Sequence, residues 1–137
     1  MPPHKKVSKA ITESMVMVAA ADGQIHKKEQ VLILTSLKEI WSPGYGGLKS
    51  AVVAAFRDVK LAHDFGMNIK KLMETHATLL AKIFTGKEKK YFLDRMEALM
   101  RVDDDLNRKE LDLYKICRTH IRPDMGLMGA LKSLLGK

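Results

Sequence analysis

Apolar residues recur at helical spacing through most of the chain, and they predict an all-α protein. Val7, Ile11, Met15 and Val18 lie on one face of a first helix, predicted over about 5–21. No stretch alternates apolar and polar residues with a period of two, so we predict no strand. The second helix is expected to end near Trp41. Five further helices are expected over about 48–63, 69–84, 87–102, 107–120 and 127–135. The pattern therefore predicts a single-domain helical bundle of about six to seven helices over residues 1–137.

Helix-breaking residues separate these predicted helices. Asp22-Gly23 ends the first one, and the Pro- and Gly-rich run Ser42–Gly47 ends the second and is interpreted as a flexible connector. In the fourth helix the inward positions are predicted to be Leu72, Leu79, Leu80 and Ile83.

One turn pattern occurs twice, 81 residues apart. The first copy is Ala21-Asp22-Gly23-x-Ile25-x-x-x-Glu29, and the second is Val102-Asp103-Asp104-x-Leu106-x-x-x-Glu110. An apolar helix precedes each copy and another follows it. We therefore predict an internal helix–turn–helix repeat with pseudo-two-fold symmetry. Its units lie around residues 5–41 and 87–121, and residues 122–137 form a C-terminal turn and short helix.

The glutamates of this repeat have a local structural interpretation. His26-x-x-Glu29 and Asn107-x-x-Glu110 both have the form of a capping box, in which the glutamate accepts a hydrogen bond from the first backbone N–H of its helix. Capping boxes are common, so this interpretation is favoured for the two glutamates. Asp22 and Asp103 are less well explained, because a turn does not need aspartate in both copies.

The functional interpretation is a metal site built from both turns. If the turns converge, four carboxylates meet: Asp22, Glu29, Asp103 and Glu110. Close like charges need a compensating cation, and such oxygen ligands suit Ca²⁺, Mg²⁺ or Mn²⁺. Neither turn is a complete EF-hand calcium loop. The first two required carboxylates are replaced by Val18 and Ala20 in one copy, and by Leu99 and Arg101 in the other.

The first copy, from Ala20 to Glu29, resembles the TerB-like family of tellurite-resistance proteins, with a weaker second copy before the last long helix. The resemblance implies an all-α bundle with internal pseudo-symmetry and no enzymatic reaction. It also implies a metal-binding role for the acidic turn residues, and a part in resistance to tellurite, phage or other stress, in association with protein partners and membrane-associated complexes. The second copy departs from the pattern, with Asp104 in place of glycine.

The net charge of the chain is strongly positive, with 24 Lys and Arg against 16 Asp and Glu. Basic excess favours anionic partners, but spread lysine without much arginine is typical of a solvated surface, so specific nucleic-acid binding is not predicted. The short apolar segment from Gly126 to Lys137 offers an alternative function: a membrane-surface protein-interaction module using the basic surface and this segment.

The sequence contains no recognisable catalytic constellation. The five histidines are scattered, no nucleophile–base motif is visible, and His76 is interpreted as a satisfied, partly buried residue. The one cysteine, Cys117, lies on an apolar helical stripe, which favours a buried thiol and a reducing compartment. With no signal peptide or transmembrane segment apparent, we predict a non-enzymatic cytoplasmic protein without a small-molecule substrate, or one peripheral at the inner face of the membrane.

Overall fold

The computed structural model describes residues 3–21, 25–102 and 108–121, and this part of the chain is helical with no β-strand. It contains a short 3-10 helix at Pro43–Tyr45 and six α-helices, which are α1 (Pro3–Ala19), α2 (Lys27–Lys38), α3 (Leu48–Asp64), α4 (Ile69–Ile83), α5 (Gly86–Arg101) and α6 (Arg108–His120). The predicted all-α bundle is therefore confirmed.

Helix α1 lies at the centre of the bundle. It contacts all five of the other α-helices, and its residues from Ala10 to Ala19 are all buried. The apolar stripe of Val7, Ile11 and Met15 predicted a helix with one buried face, but neighbours cover every side of this segment. A helix surrounded in this way must hide its polar residues too, and Thr12, Glu13 and Ser14 are indeed buried.

The inward face of α4 differs from the predicted one. Leu80 is buried as predicted, but Ile83 is 42% exposed, and Leu72 and Leu79 are half-buried. The buried positions are Met73, His76, Ala77 and Leu80, which follow one another at three- and four-residue spacing and therefore form one helical stripe. Leu72 and Leu79 still pack against the core, so only the prediction for Ile83 was wrong, and the fully buried stripe also contains a histidine and an alanine.

The connection between α2 and α3 is more structured than the predicted flexible connector. Helix α2 ends at Lys38, three residues before Trp41. The indole of Trp41 then meets the ring of Tyr45 edge-on at 5.2 Å and donates a hydrogen bond from Nε1 to the Gly46 carbonyl at 2.8 Å. Gly46 has φ +87° and ψ −162°, a conformation that is essentially restricted to glycine.

Hydrogen bonds to one residue join α5 to α2. The Tyr91 hydroxyl donates to the Ser36 carbonyl at 2.8 Å, and the Arg95 Nε donates to the Ser36 hydroxyl at 2.9 Å. Ser36 is almost completely buried, so these bonds satisfy polar atoms that water does not reach.

Three of the sequence predictions fall partly or wholly on residues outside the described ranges. They are the two turns at 22–24 and 103–107, the C-terminal helix over 127–135, and the repeat that depends on the turns. The repeat and its pseudo-two-fold symmetry stay predictions.

Candidate functional site

Glu29, the first predicted metal ligand that the structure describes, is the third residue of α2 and is 2% exposed. Its Oε1 accepts a hydrogen bond from the backbone N–H of His26 at 2.9 Å. His26 has extended backbone angles and directly precedes the helix, as an N-cap residue does. The predicted capping role of Glu29 is therefore confirmed.

Glu110 occupies the same place in α6. It is the third residue of that helix and is 4% exposed. Its predicted capping partner, Asn107, lies outside the described residues. Glu29 and Glu110 thus share a helix position and a degree of burial, and a carboxylate buried to this degree needs nearby donors or a cation to remain charged.

Asp22 and Asp103, the other two predicted ligands, lie outside the described residues, so the four carboxylates cannot be compared as a set. Among residues 3–21, 25–102 and 108–121, no three His, Cys, Asp or Glu side chains are grouped closely enough to hold a metal ion. The predicted site therefore depends on the two aspartates.

A cavity of about 400 Å³ is lined by residues from both motif regions. They include Ala21, directly before Asp22, and Lys109, directly before Glu110. The lining also includes His63, from the end of α3, and the residues Lys70 and Asp112. The Lys70 Nζ and Asp112 Oδ2 atoms lie 3.8 Å apart. The fold thus brings Ala21, just after the end of α1, close to the start of α6.

A second cavity of about 440 Å³ borders the other end of the first turn. Ile25, directly after the undescribed residues 22–24, lines it with Gln30, Asp64 and His63. His63 also lines the first cavity, so it borders both of these cavities. His63 was not predicted as a site residue, because the sequence places it at a helix end, 41 positions from Asp22, with no motif around it.

A buried polar contact between two side chains lies elsewhere, between α1 and α4. Glu13 Oε1 and His76 Nε2 are 2.9 Å apart, and the two residues are 3% and 8% exposed. The interpretation of His76 as a satisfied, partly buried residue is confirmed. Glu13 was not singled out from the sequence, although a carboxylate between the apolar stripe residues Ile11 and Met15 was a signal available there.

The thiol of Cys117 is fully buried, as the sequence predicted. Burial raises its pKa to about 12, so it is protonated at neutral pH. A protonated, buried thiol is neither a nucleophile nor a metal ligand.

Comparisons with known proteins add no relative to this description. No protein-family model, curated protein or solved structure matches the chain. Each described helix is also too short or too polar to cross a lipid bilayer. The TerB-like resemblance is therefore carried by the motif residues themselves.

Proposed function

We propose that this chain is a non-enzymatic, TerB-like binding module that holds a divalent cation or a protein partner through its two acidic turns. The cations that suit carboxylate ligands of this kind are Ca²⁺, Mg²⁺ and Mn²⁺. The observation that carries the proposal is one cavity, because Ala21, beside Asp22, and Lys109, beside Glu110, both line it.

Chain connectivity supports a common site. Consecutive Cα atoms are about 3.8 Å apart, so Asp22 lies one such step from a residue that lines the cavity. Asp103 directly follows Val102 at the end of α5, and α5 and α6 pack against each other. We propose that the two turns converge, in which case their carboxylates would repel one another and a divalent cation would remove that repulsion.

The cellular role that we propose follows from the family resemblance and from the surface charge. In this role the protein acts in the cytoplasm, in resistance to tellurite or another stress. It lies at the inner face of the membrane when it joins a membrane-associated complex. The described lysines support an anionic partner surface, since all are exposed except the half-buried Lys89.

Calorimetric titration of the chelator-treated protein with Ca²⁺, Mg²⁺ and Mn²⁺ tests the metal proposal. We expect one of these ions to bind and to raise the thermal unfolding temperature, because a ligand that binds the folded state stabilises it. The double variant Asp22→Asn, Asp103→Asn should lose both effects. Asp94→Asn, an exposed aspartate on the outer side of α5, is the matched control and should retain them.

The glutamates allow a sharper separation of capping from metal binding. Glutamine can replace glutamate in a capping box but carries no charge. Glu29→Gln should therefore keep most of the stability of the metal-free protein and weaken cation binding. If none of the three cations binds to the unmodified protein, the metal proposal is refuted and the protein-partner form of the proposal remains. A pull-down that compares the wild type with the double aspartate variant then tests that form.

The membrane-surface alternative predicts a different result. Binding to vesicles containing anionic phosphatidylserine should fall with added salt and on deletion of residues 127–137. Equal binding to neutral and anionic vesicles would contradict it.

A further inference from the structure

A third cavity, of about 440 Å³, lies between the first half of α1 and the middle of α3. The connection before α3 closes one end, through Tyr45 and Gly47. This volume is within the usual range for small-molecule sites, about 300–1,000 Å³. Neither Glu29 nor Glu110, the two predicted metal ligands that the structure describes, lines this cavity.

The two walls of this cavity differ in character. The α1 wall is polar, with Ser8, Thr12 and Glu13, all at most 6% exposed. The α3 wall consists largely of small side chains, from Ala51, Ala54 and Ala55. Two packed helices normally fill such a space with large apolar side chains. Here alanines leave the space open, opposite polar groups that an apolar side chain would leave unsatisfied.

Three cationic side chains, those of Lys5, Lys9 and Arg57, line the same cavity. Two of them already meet a carboxylate there: the Lys9 Nζ lies 3.8 Å from Glu13 Oε2, and the Arg57 Nε lies 3.3 Å from Asp58 Oδ1. Lys5 makes no ion pair with any residue in the described ranges. The lining therefore has one more positive than negative charge, which favours a ligand with an anionic group.

Glu13 adds a second requirement. His76 holds Oε1, whereas Oε2 is buried and has no hydrogen-bond partner among the described residues. The Lys9 amine, at 3.8 Å, is too far for a hydrogen bond to this oxygen. A buried carboxylate oxygen without a donor is costly, so a ligand that supplies an N–H donor would bind here favourably. A simple anion would instead be repelled by Glu13.

The geometry points to a binding site for a small amino carboxylate with an apolar body. The carboxylate of the ligand meets the cationic side chains of Lys5 and Arg57, and its ammonium group donates to Glu13 Oε2 when the Lys9 side chain moves aside. The apolar body lies against the alanines of α3. Recognition of both charges distinguishes this ligand from a plain organic acid or amine.

Three matched probes separate these contributions: L-phenylalanine, 3-phenylpropionate and 2-phenylethylamine. The first carries both charged groups, the second lacks the amine, and the third lacks the carboxylate. Titration of the full chain followed by two-dimensional NMR should shift the amide signals of Ser8, Ala51 and Ala54 with phenylalanine. Each of the other two probes should bind at least about tenfold more weakly, the loss expected for one hydrogen bond to a charged group.

Variants locate the site without disturbing the core. Lys5→Glu reverses an exposed charge at the cavity and should weaken phenylalanine binding by about tenfold or more. Lys6→Glu makes the same change one residue away, on an exposed side chain that does not line the cavity, and should have little effect. Ala54→Leu fills the space and should abolish binding, while Val53→Leu, on the exposed side of α3, should not.

Two results would overturn the inference. One is the absence of any phenylalanine-dependent shift at millimolar concentration while the NMR spectrum shows a folded protein. The other is equal binding of phenylalanine and 3-phenylpropionate, which would show that Glu13 Oε2 receives no donor. Neither result bears on cation binding at the acidic turns, because that proposal is tested separately, by cation titration of the Asp22→Asn, Asp103→Asn variant.

Discussion

Glu13 of α1 and His76 of α4 face each other in the interior of the bundle, with Oε1 and Nε2 2.9 Å apart. On α4, the apolar residues Met73, Ala77 and Leu80 share the buried face with His76. The contact between Glu13 and His76 therefore fixes the relative position of two central helices through one polar interaction. Removing either partner leaves the other polar group buried and unsatisfied.

We expect His76→Ala to lower the free energy of unfolding by about 3–5 kcal/mol, because it leaves the Glu13 carboxylate buried without its partner. Urea denaturation followed by circular dichroism measures the change. The double variant Glu13→Met, His76→Leu removes both polar groups and keeps most of the volume, so its loss should be smaller than the sum of the two single losses. Additive losses would show that the two side chains are not energetically coupled.

Two glutamates occupy the same capping position in different surroundings. Glu29 caps α2 and is almost fully buried, whereas Glu88 caps α5, accepting from the Thr85 N–H at 2.8 Å, and is half-buried. We expect Glu88→Ala to cost about 1 kcal/mol of stability, as for a typical exposed hydrogen bond. Glu29→Ala should cost more, because it also leaves a space in the packed interior. Urea denaturation measures both losses of stability. Equal losses for the two variants would contradict the expectation that the more deeply buried Glu29 side chain contributes more.

The conformation of Gly46 can be tested against that of its neighbour. A Cβ atom at Gly46 would touch nothing within 4 Å, so the cost of Gly46→Ala comes from its positive φ, about 1–3 kcal/mol. Gly47 has φ −70°, which alanine adopts readily, so Gly47→Ala should change stability little. Because the Trp41 indole donates to the Gly46 carbonyl, the fluorescence of this single tryptophan should also change in the first variant.

The buried thiol of Cys117 should react very slowly with a thiol-reactive disulfide reagent at pH 8. Its pKa of about 12 leaves almost no thiolate, and the side chain is inaccessible. The rate should rise to that of a free cysteine once urea unfolds the protein. Fast labelling under native conditions, without any unfolding, would contradict the burial of this residue.

The same thiol predicts how stability changes at alkaline pH. The ordinary pKa of cysteine is about 9, so in the unfolded chain the thiol loses its proton above that pH, whereas the folded protein keeps it up to about 12. The unfolded state therefore binds fewer protons, and stability should fall with rising pH from about 9, by up to about 1.4 kcal/mol per pH unit. Cys117→Ala should show a shallower fall between pH 9 and 10.

Local patterns predicted the parts of this structure that depend on nearby residues. The helices follow from apolar spacing, and the capping role of Glu29 follows from its position three residues after His26. What could not be predicted depends on distant contacts. Glu13 and His76 are 63 positions apart, and no periodicity indicates which buried polar residue meets which.

The cavity beside α3 could not be predicted either, because it too depends on contacts between distant parts of the chain. Ala51, Ala54 and Ala55 are strong helix formers, and the sequence pattern identifies them only as such. Whether an alanine fills a contact or leaves a space depends on the size of the residues opposite, which belong to a different helix. The central position of α1 could not be predicted for a related reason. Its apolar stripe shows where one neighbouring helix packs, but not how many helices surround it.

The order in which the helices are synthesised has a consequence for α1. It is synthesised before its partner α6, which ends roughly a hundred residues later in the chain. At about 5–20 residues per second, translation leaves the apolar run from Ala10 to Ala19 without its full set of neighbours for on the order of ten seconds. During that interval the nascent chain presents a segment suited to a chaperone, and substitutions that delay the docking of α6 should appear first as lower yield in cells.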